Sequence, residues 1–269
     1  MKLRGFLLAI LVSFAFVIVA DAGVRDSKHN LGSSNNVTGA NSFSGTAEVC
    51  VFCHTPHGGD TGAIVPLWNR TLEANPASTY TTYEMLGTST LDGQVAAVGS
   101  VSIACLSCHD GTQALDSIIN EPGSGLDSTS FNAGSWSGDN IDPDGTLRDD
   151  AITNIGTDLQ NDHPIGIQYG GGGISSSSPL ASTNDVNFFT PDFEVGANGP
   201  VWWIDIDGNG NKDATDVVMF TRSNAYSGQQ DPEPFVECAT CHDPHSTTNG
   251  MFLRSSNVGS GLCLACHDK

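Results

Sequence analysis

One five-residue pattern occurs four times in the chain: two cysteines separated by two residues and followed at once by histidine. The copies are Cys50-Val51-Phe52-Cys53-His54, Cys105-Leu106-Ser107-Cys108-His109, Cys238-Ala239-Thr240-Cys241-His242 and Cys263-Leu264-Ala265-Cys266-His267. CxxCH is the attachment pattern of c-type haem. The two thiols add to the two haem vinyl groups as thioethers, and the short turn brings the next imidazole under the iron as proximal ligand. A disulfide framework, a zinc site built from CxxC pairs or a redox CxxC would each leave the fixed histidine unexplained. His makes up about 3% of the chain, so four matches by chance would be on the order of one in a million. All eight cysteines are used, giving four covalent haems.

Four histidines remain: His29, His57, His163 and His245. Four six-coordinate irons need four distal ligands, so the count points to bis-histidine ligation. Methionine ligation is short by one, because Met85, Met219 and Met251 are the only candidates beyond residue 22. With every axial position filled, the chemistry is one-electron transfer. His57 and His245 each lie three residues after a proximal His, in His54-Thr55-Pro56-His57 and His242-Asp243-Pro244-His245. Three residues span at most about 10 Å, too little to reach the far face of the same iron. Each such segment therefore couples two haems. The order distal His, doubled site, plain site recurs in both halves, which is an internal duplication. Chain order then pairs His57 with the haem of Cys105/Cys108 and His245 with that of Cys263/Cys266. It leaves His29 for Cys50/Cys53 and His163 for Cys238/Cys241.

Residues 1–22 have the form of a secretory signal peptide: Lys2 and Arg4, an apolar stretch from Phe6 to Val19, and a small-x-small site at Ala20-Asp21-Ala22. The stretch is short for a membrane span, and no later one approaches that length. The expected product is exported, extracellular or periplasmic. The formal charge is −20. It becomes −21 once Lys2, Arg4 and Asp21 are removed. Such a surface has no basic footprint for nucleic acid.

Hydrophobic residues are 38% and aromatics 7%, low for a chain that builds its own core; four haems would supply the missing apolar bulk. The expected fold is a multihaem cytochrome c, mostly irregular coil with short helices wrapped round four stacked haems, plus a small β-hairpin element. The expected organisation is a signal peptide (1–22), a first haem pair (23–120), a loop-rich insertion (121–235) and a second haem pair (236–269). Gly170 to Ser178 is of low complexity and is expected to be a flexible loop. Val201 to Ile206 and Val217 to Thr221 are expected strands, with Trp202 and Trp203 as packing residues. Between them Asp205, Asp207, Asn209, Asn211, Asp213 and Asp216 take the oxygen-ligand positions of an EF-hand-like calcium loop, with Gly210 at the sixth position. Asp216 replaces the usual glutamate, and a solvated Asn/Gly/Asp turn fits the same residues.

Beyond the motifs, Lys28-His29-Asn30-Leu31, Pro66-Leu67-Trp68-Asn69-Arg70, Asp162-His163-Pro164 and the extended sites Cys50–His57 and Cys238–His245 make a further pattern. With these the chain resembles the tetrahaem cytochromes with doubled CxxCH motifs, and among them the OmcE-type extracellular cytochrome nanowire family. The resemblance implies subunits that polymerise into filaments, contact other redox proteins and pass electrons to extracellular acceptors. It also implies that a haem can take its distal His from a neighbouring subunit, with His29 the suspected residue. A monomeric periplasmic shuttle and a multihaem oxyanion reductase are the alternatives; the reductase would need a five-coordinate haem.

Overall fold

The structure is a computed structural model that describes residues 23–87, 89–123, 128–162, 164–223 and 229–268. The expected signal peptide and His163 lie outside the described residues. No helix among the described residues is long and apolar enough to cross a membrane.

Most of the described chain is turn and irregular backbone. The α-helices are α1 (Pro76–Thr79), α2 (Ser102–His109), α3 (Ser128–Asn132), α4 (Cys238–Cys241) and α5 (Gly261–Cys266). The strands are β1 (Ser42–Phe43), β2 (Trp136–Ser137), β3 (Ile167–Gln168), β4 (Asp192–Gly196), β5 (Gly199–Ile204), β6 (Val217–Arg222) and β7 (Glu233–Val236). Three of the helices coincide with CxxCH motifs. The strands exceed expectation: β1 and β2 form a small sheet, and the other five form an antiparallel sheet in the order β3-β7-β6-β5-β4. The small hairpin read from the sequence is only its β5–β6 part. The rest was hidden because strands of two to five residues are too short to show a period of two.

The β5 and β6 runs, rich in Val, Trp and Phe, suit a pleated half-buried surface. Phe193 and Met219 both lie opposite Trp202 in register, and Trp202 and Met219 are buried with Tyr169 and Ile174. Apolar burial is otherwise split among three further small clusters. The motif cysteines sit on their margins: Cys53 against two of them, Cys238 against one and Cys108 against another.

The Gly170 to Ser178 segment is not a loose loop. Gly170 to Gly173 all have φ between +56° and +91°, a region that costs residues with a Cβ. A Cβ at Gly170 would lie 2.4 Å from Thr183 Cγ2. The glycines let this backbone pack directly on Thr183 and Asn184.

Candidate functional site

The motifs share one local geometry. In three of them the His backbone N–H donates to the carbonyl of the first Cys: His54 to Cys50, His242 to Cys238 and His267 to Cys263, at 2.8–3.1 Å. This closed turn puts residues i, i+3 and i+4 on one side, so both thiols and the imidazole face the same way.

A short extended segment then runs antiparallel to three of the motifs. Thr55 N–H donates to Leu67 O, Asp243 to Phe252 O and Asp268 to Asn187 O. In return Asn69 N–H donates to Cys53 O, Arg254 to Cys241 O and Phe189 to Cys266 O. Side chains repeat the correspondence: Asn69 Nδ2 donates to Val51 O and Arg254 Nε to Ala239 O, each the residue after the first Cys. Leu67 and Phe252 occupy equivalent places and both have positive φ, 57° and 58°. For the first and third motifs the correspondence read from ligand order extends to the supporting backbone, whereas the fourth motif has such a segment and, among the described residues, the second does not share it. Sequence reasoning missed it, because the shared feature is a hydrogen-bond pattern between segments of unlike composition.

The supports also orient the imidazoles. His54 Nδ1 donates to Pro66 O at 2.9 Å, His109 Nδ1 to Thr153 O at 2.8 Å and His242 Nδ1 to Met251 O at 2.7 Å. A carbonyl only accepts, so each Nδ1 carries the proton and each Nε2 keeps its lone pair. A metal-ligating histidine requires this arrangement. His267 has no such acceptor among the described residues; its ring lies 4.2 Å from Phe188.

Two distal candidates face motif imidazoles. His245 stacks on His54 with ring centres 6.2 Å apart and planes 20° apart. His29 lies 6.1 Å from His109 at 65°. Two imidazoles on opposite faces of one iron have ring centres about 6.4 Å apart, at about 2.0 Å per metal–nitrogen bond plus about 1.2 Å to each ring centre. The residues present therefore fit haem iron at both places. Burial, then the neighbouring His109, lowers the His29 pKa to about 4, so its imidazole is neutral and able to ligate at neutral pH.

These pairs differ from chain order, which put His29 with His54 and His245 with His267. The reason is topological. The segment after the third motif folds back on the first, and the N-terminal segment crosses it: Gly23 N–H donates to His245 O, and His29 stacks on Phe252 at 4.3 Å. His57 is exposed, and no ring faces it among the described residues.

The motifs adjoin in chain order. Cys53 is half-buried beside the Cys108 thiol, and desolvation pushes its pKa up to about 12. The Cys105 thiol lies close to that of Cys238, which with burial raises its pKa. The Cys241 thiol feels that of Cys263. A buried polar clamp fixes the second junction. Ser102 Oγ donates to Glu237 Oε2 at 2.5 Å and accepts the Cys238 N–H at 3.0 Å, tying α2 to α4. Arg222, at the end of β6, donates to Glu237 Oε1 from Nε and Nη2 at 2.8 and 2.6 Å. Glu237 is 1% exposed; removing its partner would strand a buried charge, at a cost of about 3–5 kcal/mol. Ser102, Arg222 and Glu237 were invisible as site residues, since nothing in residue type foretells that burial.

The expected calcium loop joins β5 to β6. Asp205, Asp207 and Asp216 offer carboxylate oxygens within 4.8 Å of one another. Asp216 is fully buried and accepts the N–H groups of Ile206 and Asp213. Asp205 accepts from Gly208, Asn209 and Gly210. Asp213 lies outside this group of carboxylates, bonded to Asn209 and Thr215. Asn209 and Asn211 are exposed.

Compared with known families, residues 233–269 match the model of the doubled CXXCH motif. This segment holds the third and fourth motifs, and its CXXCH pattern supports covalently bound haem c and electron transfer. A search of curated proteins found no match.

Proposed function

We propose that the chain is the subunit of an extracellular filament and conducts electrons through four bis-histidine c-type haems. The observation that carries the proposal is the ligand arithmetic in space. His29 and His245 meet His109 and His54 within one chain. His163 serves the haem of Cys238/Cys241, as chain order has it. Among the described residues His57 is then left exposed, and His267 is left without an imidazole partner. The simplest closure gives His57 of one subunit to the Cys263/Cys266 haem of the next. His29, suspected of that exchange from the resemblance, faces His109 of its own chain instead.

Such a contact is head-to-tail, and a head-to-tail contact whose rotation does not close generates an open filament. The three residues from His54 to His57 would hold haems of adjacent subunits at close range, leaving no gap at the interface. Exposed apolar side chains flank both partners: Ile64 and Leu67 near the first motif, Val186, Val258 and Leu264 near the fourth. Bound haem supplies a ferric–ferrous couple. The chain's own residues hold the imidazole tautomers and fix the spacing of the motifs. Negative-stain microscopy of secreted, haem-loaded protein tests the proposal. Filaments are expected; only dispersed particles would favour a periplasmic shuttle. In a lone subunit the partnerless His267 implies one high-spin haem open to small ligands, the property a reductase would need.

We also propose that the β5–β6 loop binds calcium through Asp205, Asp207 and Asp216. Calcium at about 100 times its Kd should add about 2.7 kcal/mol, raising Tm by about 5–10 °C for a domain of this size. A Tm unaffected by millimolar calcium and by chelator would overturn this; D207N should remove the effect.

A further inference from the structure

One buried charge takes no part in holding imidazoles. Arg70 is 0% exposed. Its guanidinium donates only to backbone carbonyls: Nε and Nη2 to Ser107 O at 3.1 and 2.7 Å, Nη2 to Ala114 O at 3.0 Å, and Nη1 to Leu115 O at 2.9 Å. No ion pair among the described residues includes it. The other buried charged residues among those described are all acids: Asp110, Asp216, Glu233 and Glu237. Arg70 is therefore the one fully buried cation there, in a chain of net charge −20. Leaving a guanidinium out of water without a carboxylate is costly, more than a loop anchor requires. Ser107 lies inside the second CxxCH motif, and the adjacent Asn69 N–H donates to Cys53 O in the first. Arg70 thus sits against the attachment edge of the second haem site and near that of the first.

We propose that Arg70 is an electrostatic tuning residue that raises the reduction potential of the haem at Cys105/Cys108. This rests on the haem assignment above. Reduction adds one electron to a ferric iron and lowers its charge by one, with no bond made or broken. A fixed buried cation favours the less positive state, and the low local dielectric enlarges the effect. The buried anion that follows the second motif, Asp110, acts in the opposite sense. Its carboxylate accepts the Tyr80 hydroxyl and the Thr112 N–H and hydroxyl, and it does not pair with Arg70. The second haem would thereby be the station on which electrons rest longest within each subunit.

The test is a spectroelectrochemical titration of the full haem-loaded chain with dithionite as reductant, comparing wild type, R70K, R70Q and R70M, each with its covalent haem count. R70Q and R70M should lower one of the one-electron transitions by about tenfold or more in equilibrium constant, and tenfold is about 59 mV for one electron. R70K keeps the charge but loses the planar fork, and should retain most of the wild-type value. A wild-type chain with no covalent haem would overturn the haem assignment itself. Loaded R70Q and R70M with unchanged potentials, or R70K falling with them, would overturn the tuning role alone. Should the variants fail to load, assigning the wild-type potentials by the paramagnetic NMR shifts of the haem methyls decides. The Cys105/Cys108 haem should be the highest of the four, and any lower rank rejects the inference.

Discussion

His57→Ala chains should be secreted with a full covalent haem complement and yet remain dispersed particles. The substitution removes a single exposed imidazole, so folding and loading should be untouched. It also removes the ligand proposed to cross the subunit boundary, so the Cys263/Cys266 haem should become high spin in every particle. The head-to-tail geometry adds a sharper expectation. A His57→Ala subunit can still accept a ligand through its fourth haem site, but it cannot donate one. Mixed into wild type at a few per cent, it should therefore shorten filaments steeply rather than in proportion. Electron paramagnetic resonance and negative-stain length distributions measure both effects. Filaments of normal length with all haems low spin would exclude His57 as the bridging ligand.

His245→Ala should act inside the subunit. Its ring lies 6.2 Å from that of His54, so the high-spin signal should arise at the Cys50/Cys53 haem, which in the ferrous state should then bind carbon monoxide. Chain order assigns the same ligand to the Cys263/Cys266 haem. The double replacement of Cys50 and Cys53 by serine separates the two assignments. In that background His245→Ala should add no high-spin signal, whereas the chain-order pairing predicts an undiminished one. A density map of His245→Ala filaments reads the same distinction directly where the background chain does not fold. His245 is also tied to Asp243, whose Oδ1 lies 3.4 Å from Nδ1. Asp243→Asn should loosen the ring's orientation without removing the ligand, and so shift the low-spin spectrum rather than abolish it.

Of the site, the sequence carried what local covalent geometry dictates. Thioether attachment needs two cysteines and a histidine at i, i+3 and i+4, and a turn supplies that spacing wherever it forms. Hence Cys50, Cys53 and His54, and their three counterparts, were legible without any fold. The tether argument was equally local: three residues from His54 to His57 cannot circle one haem, whatever surrounds them. The strands of the β5–β6 hairpin and the acidic loop between them were legible for the same reason, as short runs with a strong composition.

What only the tertiary structure decided depends on which distant segments meet. Ligand order along the chain suggested one pairing of imidazoles; the fold-back of residues 242–254 onto the first motif produces another. The extra strands of the sheet were too short to announce themselves, and the glycine run at 170–173 looked loose until Thr183 was seen packed on it. Arg70, Ser102, Arg222 and Glu237 are ordinary polar residues in the sequence. Burial turns them into a lone cation and a clamp between motifs, because a charge acquires its energetic weight from the water and partners it loses. Those losses are set by contacts 15 to 136 residues apart. The motifs by themselves pointed to haem c as what this protein binds, while the fold decided which histidine rings lie against which motif imidazoles and which charges are buried beside the motifs.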